Sequence, residues 1–321
     1  MSATAPRAMV LAAGFGARLR PLTDLMPKPL IPVANRPLIH YNLALLANYG
    51  VRDVMVNVHH HAAMIEQALG NEQCGVRLQY SPERVVLGTG GGIMRARPFF
   101  KEETFFIFNG DMLTGVDLAA LLQFHQRQGA VATIVVRPLP EHAGYTPLAY
   151  DEAGFVVDFK GVKRPARGAV RTCMFVGVHV LSPVIFEFLP SDGFACINEI
   201  GYVGMLSKGL PVAAFVDQGP WFDAGTPATY LEANRAVLSG RAQFLQIPPP
   251  PGVGANGVVV GQNVVIDDGV QLGPEVAIGD RCHIGKGATV ARSVLWPGVT
   301  ITSRARIESS IVALGHTVVV S

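Results

Sequence analysis

Apolar runs and polar breaks alternate in a regular order along the first two thirds of the chain. Residues 8–13 are entirely apolar. The run is long enough for one buried strand and too short for a helix, as expected of a central parallel strand covered on both faces. Over 37–48, Leu38, Tyr41, Leu45 and Leu46 recur at helical spacing, and Tyr49-Gly50 ends the run. Further strand-length apolar runs lie at 51–58, 76–80, 104–108 and 130–137, with helical patterns at 62–69, 91–97 and 118–128. This alternation predicts an α/β fold built on a doubly wound, mostly parallel sheet. From 145 to 215 the pattern is less regular. It predicts a hairpin over 148–159 turning at Glu152-Ala153-Gly154, a strand over 174–181 and helices over 184–189 and 200–206. A last helix over 230–238 stops at Gly240.

Beyond residue 246 the texture changes. Four consecutive prolines, 248–251, cannot continue a helix and favour a stiff extended segment. The predicted domains are therefore 1–246 and 247–321. In the second, Val258, Val264, Val270, Val276, Cys282, Ala288 and Val294 stand six residues apart, and a parallel column runs from Val260 through Ile266, Leu272, Ile278, Ile284 and Val290 to Trp296. Period six suits neither a helix nor an ordinary hairpin. It suits a hexapeptide-repeat parallel β-helix, whose short strands form the faces of a triangular prism in roughly three to four coils.

Composition narrows the function. A chain of 321 residues with 49% hydrophobic and 16% charged residues can bury a core. Its net charge of +2 argues against nucleic acid as a partner. Cys74, Cys173, Cys196 and Cys282 form no CxxC pair, so reduced thiols are expected rather than a zinc site or disulfide framework. The first apolar run stops at Gly14, too short for a signal peptide core or a membrane span. The expectation is a cytoplasmic protein with no membrane partner.

Four stretches could carry chemistry. In LAAGFGARLR, Gly14 and Gly16 follow a buried strand, where glycine lets backbone N–H groups approach an anion. Arg18 replaces the third glycine of a dinucleotide fingerprint and adds a fork suited to phosphate oxygens. Lys28 stands between Pro27 and Pro29, in a segment expected to be extended. The bland alternative is a tight turn with two solvated cations. LGTGGGI, 87–93, opens a helix and invites close approach by a flat base or a sugar; a flexible loop fits equally. FFIFNGD delivers Asp111 at the end of a buried strand, where a carboxylate can hold Mg²⁺. Asp223 in GPWFDAGTP could supply a second one. Both aspartates could instead be helix caps. The triplet His59–His61 reads as a polar strand-to-helix turn rather than a metal site.

Together these pieces resemble the sugar-nucleotide pyrophosphorylases, nucleotidyltransferases that join a nucleoside triphosphate to a sugar 1-phosphate. The resemblance runs from Met9 to about Ser239 and is densest in LAAGFGARLRPLTDLMPKPLIPVANRPLI. LGTGGGI, FNGD and WFDAGTPATYLEANR follow in the family's order. It implies a Rossmann-like fold and, for the tail, the left-handed β-helix that several members carry. It implies that Leu11, Ala12, Ala13, Gly14, Gly16 and Arg18 cradle the nucleotide and that Lys28 holds its phosphates. Leu87, Gly88 and Thr89 would line the base pocket, and Asp111 and Asp223 would bind Mg²⁺. Asn109 and Lys160 or Lys163 would contact the sugar phosphate, and Asn198 or Glu199 the sugar hydroxyls.

Two departures bear on the sugar. Tyr145 is followed by Thr146-Pro147 where members often have glycine, and FKGVKRP replaces the usual Glu-Lys-Pro. GTP with mannose 1-phosphate or a related hexose or heptose 1-phosphate is the expected pair. UTP with an N-acetylmuramate- or glucose-type 1-phosphate, and a non-catalytic regulatory homologue, are the alternatives. The tail is expected to make a homo-oligomer rather than to transfer acyl groups. The whole reading requires Lys28 and Asp111 to reach one nucleotide.

Overall fold

The computed structural model describes residues 6–139, 144–242 and 250–320. The predicted boundary at 246/247 and the first two prolines of the run fall outside the described residues. Contacts group the chain into two compact units.

The first unit comprises the described parts of Met1–Gly14, Asn42–Gly110 and Val116–Gly219. Its central strand, Ala8–Leu11, pairs in parallel with Asp53–Val58 on one side and Phe105–Asn109 on the other. Asp53–Val58 pairs in turn with Val76–Pro82. Apolar side chains cover both faces of the inner three strands, with Ala8, Met9 and Val10 fully buried, so their continuous apolar runs mark the centre of the parallel part of the sheet, whereas Val76–Pro82 alternates buried Val76 and Leu78 with exposed Arg77 and Gln79. Beyond Phe105–Asn109 the sheet turns antiparallel. The strand there, Val170–Leu181, is longer than predicted and also pairs with Ala132–Pro138 and Pro147–Asp151. It is kinked at Gly177, whose φ is +89°; a Cβ there would lie 2.8 Å from the Asn109 side chain.

The less regular stretch after the long strand departs from prediction. The expected helix over 184–189 is a 3₁₀ turn, Pro183–Glu187. The expected helix over 200–206 begins as a wide i→i+5 turn, Ile197–Tyr202, before the α-helix Val203–Ser207. Apolar spacing locates such segments but cannot distinguish pitches over so few residues. Phe100, Phe105 and Phe186 stack in the core, the first two with centroids 3.8 Å apart.

The second unit comprises Phe15–Tyr41, Asp111–Gly115 and the described parts of Pro220–Ser321. A tight hairpin, Pro32–Val33 with Arg36–Pro37, turns on Ala34 and Asn35, both at positive φ. Met112–Thr114 pairs antiparallel with Trp221–Asp223. Helix Pro227–Leu238 starts from a capping box of Thr226 and Thr229.

The tail forms three parallel sheets, the prism of a parallel β-helix. The first coil repeats at 18 residues, pairing Val258 with Val276. Later coils repeat at 17, pairing Ala277 with Val294 and Ile278 with Leu295. The period-six column therefore breaks after Val290, and Leu295 rather than Trp296 continues it. The shortened corner turns through Arg292 at positive φ, and the buried Ser293 hydroxyl donates to the Ala291 carbonyl. Trp296 is thereby released from the ladder position. Its indole N–H donates to the Tyr230 hydroxyl at 3.1 Å, which donates to the Pro32 carbonyl at 2.5 Å. An antiparallel strand, His316–Val319, closes the last coil. Among the described residues no helix is long and apolar enough to cross a membrane.

Candidate nucleotide site

The second unit holds the cations and the acidic pair. Gly16 lies at φ +64°, and a Cβ there would meet Thr23 Cγ2 at 2.8 Å, so the turn itself demands glycine. The Thr23 hydroxyl donates to the Gly16 carbonyl, and the helical turn Ala17–Leu19 presents Arg18 to solvent. Lys28 does not lie in an extended segment, as the flanking prolines suggested. It opens a 3₁₀ turn, Lys28–Leu30, because Pro29 in the first turn has no N–H to leave unpaired. The Lys28 stem is largely buried, and its Nζ donates to Asp111 Oδ2 at 2.8 Å.

Asp111 stands beside Asp223 for a simple reason. The Ala224 N–H donates to the Asp111 carbonyl at 3.0 Å, next to the pairing of Asp223 with Met112. Neither aspartate caps a helix. Asp117 caps Leu118–Arg127, and Thr226 caps Pro227–Leu238. Gly225 is pinned among the same groups: a Cβ there would lie 2.7 Å from Asp223 Oδ2 and 2.8 Å from an Arg18 guanidinium nitrogen. The structure thus brings Arg18, Lys28, Asp111 and Asp223 together. Two hard carboxylates, Asp111 in the turn before Met112–Thr114 and Asp223 at the end of the strand paired with it, fit a magnesium ion, which takes few protein ligands and keeps places for water and phosphate oxygens. No cluster of three or more metal-ligating side chains exists among the described residues.

The first unit holds the remaining candidates. A Cβ on Gly14 would meet nothing within 4 Å, so crowding by the chain does not account for that glycine. The Ala12 N–H donates to Asn57 Oδ1 at 2.8 Å. The LGTGGGI glycines have a different cause. Helix Gly88–Arg95 packs against 193–197 so closely that a Cβ on Gly88 would lie 2.6 Å from the Ala195 carbonyl oxygen, and one on Gly91 2.5 Å from that of Gly193. Thr89 Oγ1 accepts the Ile197 N–H at 3.0 Å.

Lys160 Nζ reaches Glu199 at 3.6 Å, whereas Lys163 faces Asp158 on the surface. Asn109 ends its strand beside Gly177. The Asn198 Oδ1 is buried with no hydrogen-bond partner among the described residues. His59 Nδ1 donates to the Glu83 carbonyl at 2.8 Å, a strand-end role. Asn57 and Glu83, which lie behind the two glycine segments, escaped the sequence reading. The one signal was a polar residue inside the apolar strand DVMVNV.

The parallel sheet of the first unit defines an α/β protein, and the second unit carries two cations beside two aspartates, a donor set suited to an anion and a metal ion. Comparison with known proteins makes this specific. The chain belongs to the nucleotidyl transferase family, whose model matches residues 7–240, and residues 255–319 match the GMPPB C-terminal domain. The UTP–glucose-1-phosphate uridylyltransferase of Synechocystis sp. is 32% identical over 95% of this chain and 87% of its own length. Mannose-1-phosphate guanylyltransferase 1 of Arabidopsis thaliana is 30% identical over 97% and 87%. The UTP-bound UGPase of Acinetobacter baumannii shares the fold, with a TM-score of 0.62 at 21% identity over 74% of this chain and 95% of that one.

Proposed function

We propose that the protein condenses a nucleoside triphosphate with a sugar 1-phosphate, giving an NDP-sugar and pyrophosphate. The observation that supports this reading is the Lys28–Asp111 contact at 2.8 Å, which sets a cation suited to phosphate beside a carboxylate suited to a metal ion in a chain of this family. The sugar-phosphate oxygen attacks the α-phosphorus in line, and pyrophosphate leaves. No covalent nucleophile is required, because catalysis rests on positioning and charge neutralisation.

Leu11, Ala12, Ala13, Gly14, Gly16 and Arg18 hold the triphosphate, Lys28 faces the departing pyrophosphate, and Leu87, Gly88 and Thr89 border the base. Asn109 and Lys160 receive the phosphate of the sugar phosphate, and Asn198 and Glu199 its sugar hydroxyls; the Lys160–Glu199 contact favours Lys160 over Lys163. Asp111 and Asp223 hold Mg²⁺, which when bound supplies charge neutralisation at the phosphates. Segment 1–246 is catalytic, and 247–321 assembles copies of the chain in the cytoplasm.

GTP with mannose 1-phosphate, or a related hexose or heptose 1-phosphate, is the preferred pair, supported by the guanylyltransferase relatives and the C-terminal domain match. The Synechocystis relative supports UTP with glucose 1-phosphate as a second reading. A pyrophosphate-release assay with Mg²⁺, four nucleoside triphosphates and a panel of sugar 1-phosphates decides between them. No release with any pair overturns the enzyme reading.

A further inference from the structure

Behind the two glycine segments of the first unit lies a buried polar bridge that no step of the proposed chemistry uses. Ala12 N–H donates to Asn57 Oδ1 at 2.8 Å, Asn57 Nδ2 donates to Glu83 Oε1 at 2.8 Å, and Leu87 N–H donates to Glu83 Oε2 at 2.9 Å. The four residues are 5%, 3%, 5% and 7% exposed. A carboxylate in such a place is costly unless its oxygens are satisfied, and here each accepts one N–H. Capping the Gly88–Arg95 helix would need only one of them. The second oxygen reaches away from the helix to Asn57, and through it to the turn that leads to Gly14. Room for the bridge comes from Gly92, where a Cβ would lie 2.9 Å from both Asn57 Nδ2 and Glu83 Oε1.

We infer that Glu83 and Asn57 are positioning residues that fix the phosphate turn at 11–14 relative to the base-bordering turn at 87–89. The bridge thereby sets affinity for the nucleoside triphosphate and not for the sugar phosphate. This rests on the nucleotide reading given above. The polarity of the chain of bonds is forced. In Glu83→Gln, the new NH₂ group must face either Asn57 Nδ2 or the Leu87 N–H. Flipping Asn57 only moves the donor–donor clash to Ala12. In Asn57→Asp, two carboxylate oxygens would meet at the 2.8 Å now spanned by a hydrogen bond. The double variant Asn57→Asp/Glu83→Gln reverses the middle bond, keeps all three hydrogen bonds and conserves the charge.

The test measures GTP and UTP binding to the full chain with Mg²⁺ by calorimetry. It also measures KM for mannose 1-phosphate and glucose 1-phosphate, and melting temperature. Glu83→Gln is expected to weaken nucleotide binding about tenfold or more, the scale of one unsatisfied buried group. The sugar-phosphate KM should stay within about twofold, and the double variant should return nucleotide affinity to within about threefold of wild type. Three results overturn the inference: unchanged nucleotide affinity in Glu83→Gln, equal weakening toward the sugar phosphate, or a double variant that regains melting temperature without affinity. A wild-type chain that binds neither nucleotide overturns the proposed function and this inference with it. A wild-type chain that binds, with Glu83→Gln binding equally, overturns the inference alone.

Discussion

On the proposed reading, Lys28 joins chemistry to fold in one side chain. Its stem is buried and its ammonium rests on Asp111, so the 3₁₀ turn presents a charge with little freedom left to lose. Lys28→Ala is expected to lower kcat by at least about a hundredfold in the pyrophosphate-release assay, the usual cost of removing one preorganised charge at a reacting phosphate. Melting temperature should change little, because Asp111 stays partly open to water. Normal turnover would remove Lys28 from the site.

Two buried histidines make a separate prediction at the residue scale. Burial lowers His125 to about 4 and His179 to about 3. Their nitrogens meet the Thr133 and Tyr202 hydroxyls. Their folded-state values lie below the unfolded value near 6.5, so the neutral forms favour the fold. That stabilisation is complete above about pH 6.5 and is lost as pH falls toward 4, at about 1.4 kcal/mol per pH unit for each imidazole. Melting curves between pH 4.5 and 7.5 should be flat at the upper end and fall at the lower. His125→Gln, which does not titrate, should flatten part of that fall.

At the scale of elements, glycines let segments touch. Gly110 is the clearest case, between the buried strand Phe105–Asn109 and Asp111. Its N–H donates to the Leu11 carbonyl at 2.9 Å, and a Cβ would lie 2.6 Å from the same oxygen. Gly110→Ala must push two adjacent parallel strands apart at their ends. It is expected to cost about 1–3 kcal/mol in urea melts, and to reduce turnover by moving Asp111. Trp296 acts at the same scale. Trp296→Phe keeps the apolar bulk but leaves the buried Tyr230 hydroxyl without its donor, for a loss of about 1 kcal/mol by the same measurement.

At the scale of the whole molecule, the grouping of contacts matters more than chain order. The β-helix shares a compact unit with the segments that carry Arg18, Lys28, Asp111 and Asp223. Within that unit Asn35 Nδ2 donates to the Ile278 carbonyl at 2.7 Å, and Arg235 pairs with Glu275 at 2.6 Å. Helix Pro227–Leu238 joins in through Asn234, which accepts the Ala34 N–H. A chain truncated after residue 242 therefore loses support for the hairpin that follows Lys28. It is expected to lose activity as well as assembly, measured by pyrophosphate release and light scattering on the soluble fraction. Full turnover in a monomeric truncated chain would show that the tail serves assembly alone.

The sequence by itself determined the alternation of strand and helix, the parallel centre of the sheet and the repeat of the tail, because burial on both faces and a period of six leave direct marks on residue order. It also marked the glycine turn, Lys28 and both aspartates, since a charge set beside glycine or proline has few structural uses. Tertiary structure alone decided the rest. It supplied the antiparallel strand Val170–Leu181, the slip from 18 to 17 residues that frees Trp296, and the reason for the LGTGGGI glycines. It also supplied the Asn57–Glu83 bridge, which joins residues 26 apart in the chain. These depend on which distant segments come to lie within van der Waals reach, and no local pattern of apolar and polar residues encodes that distance.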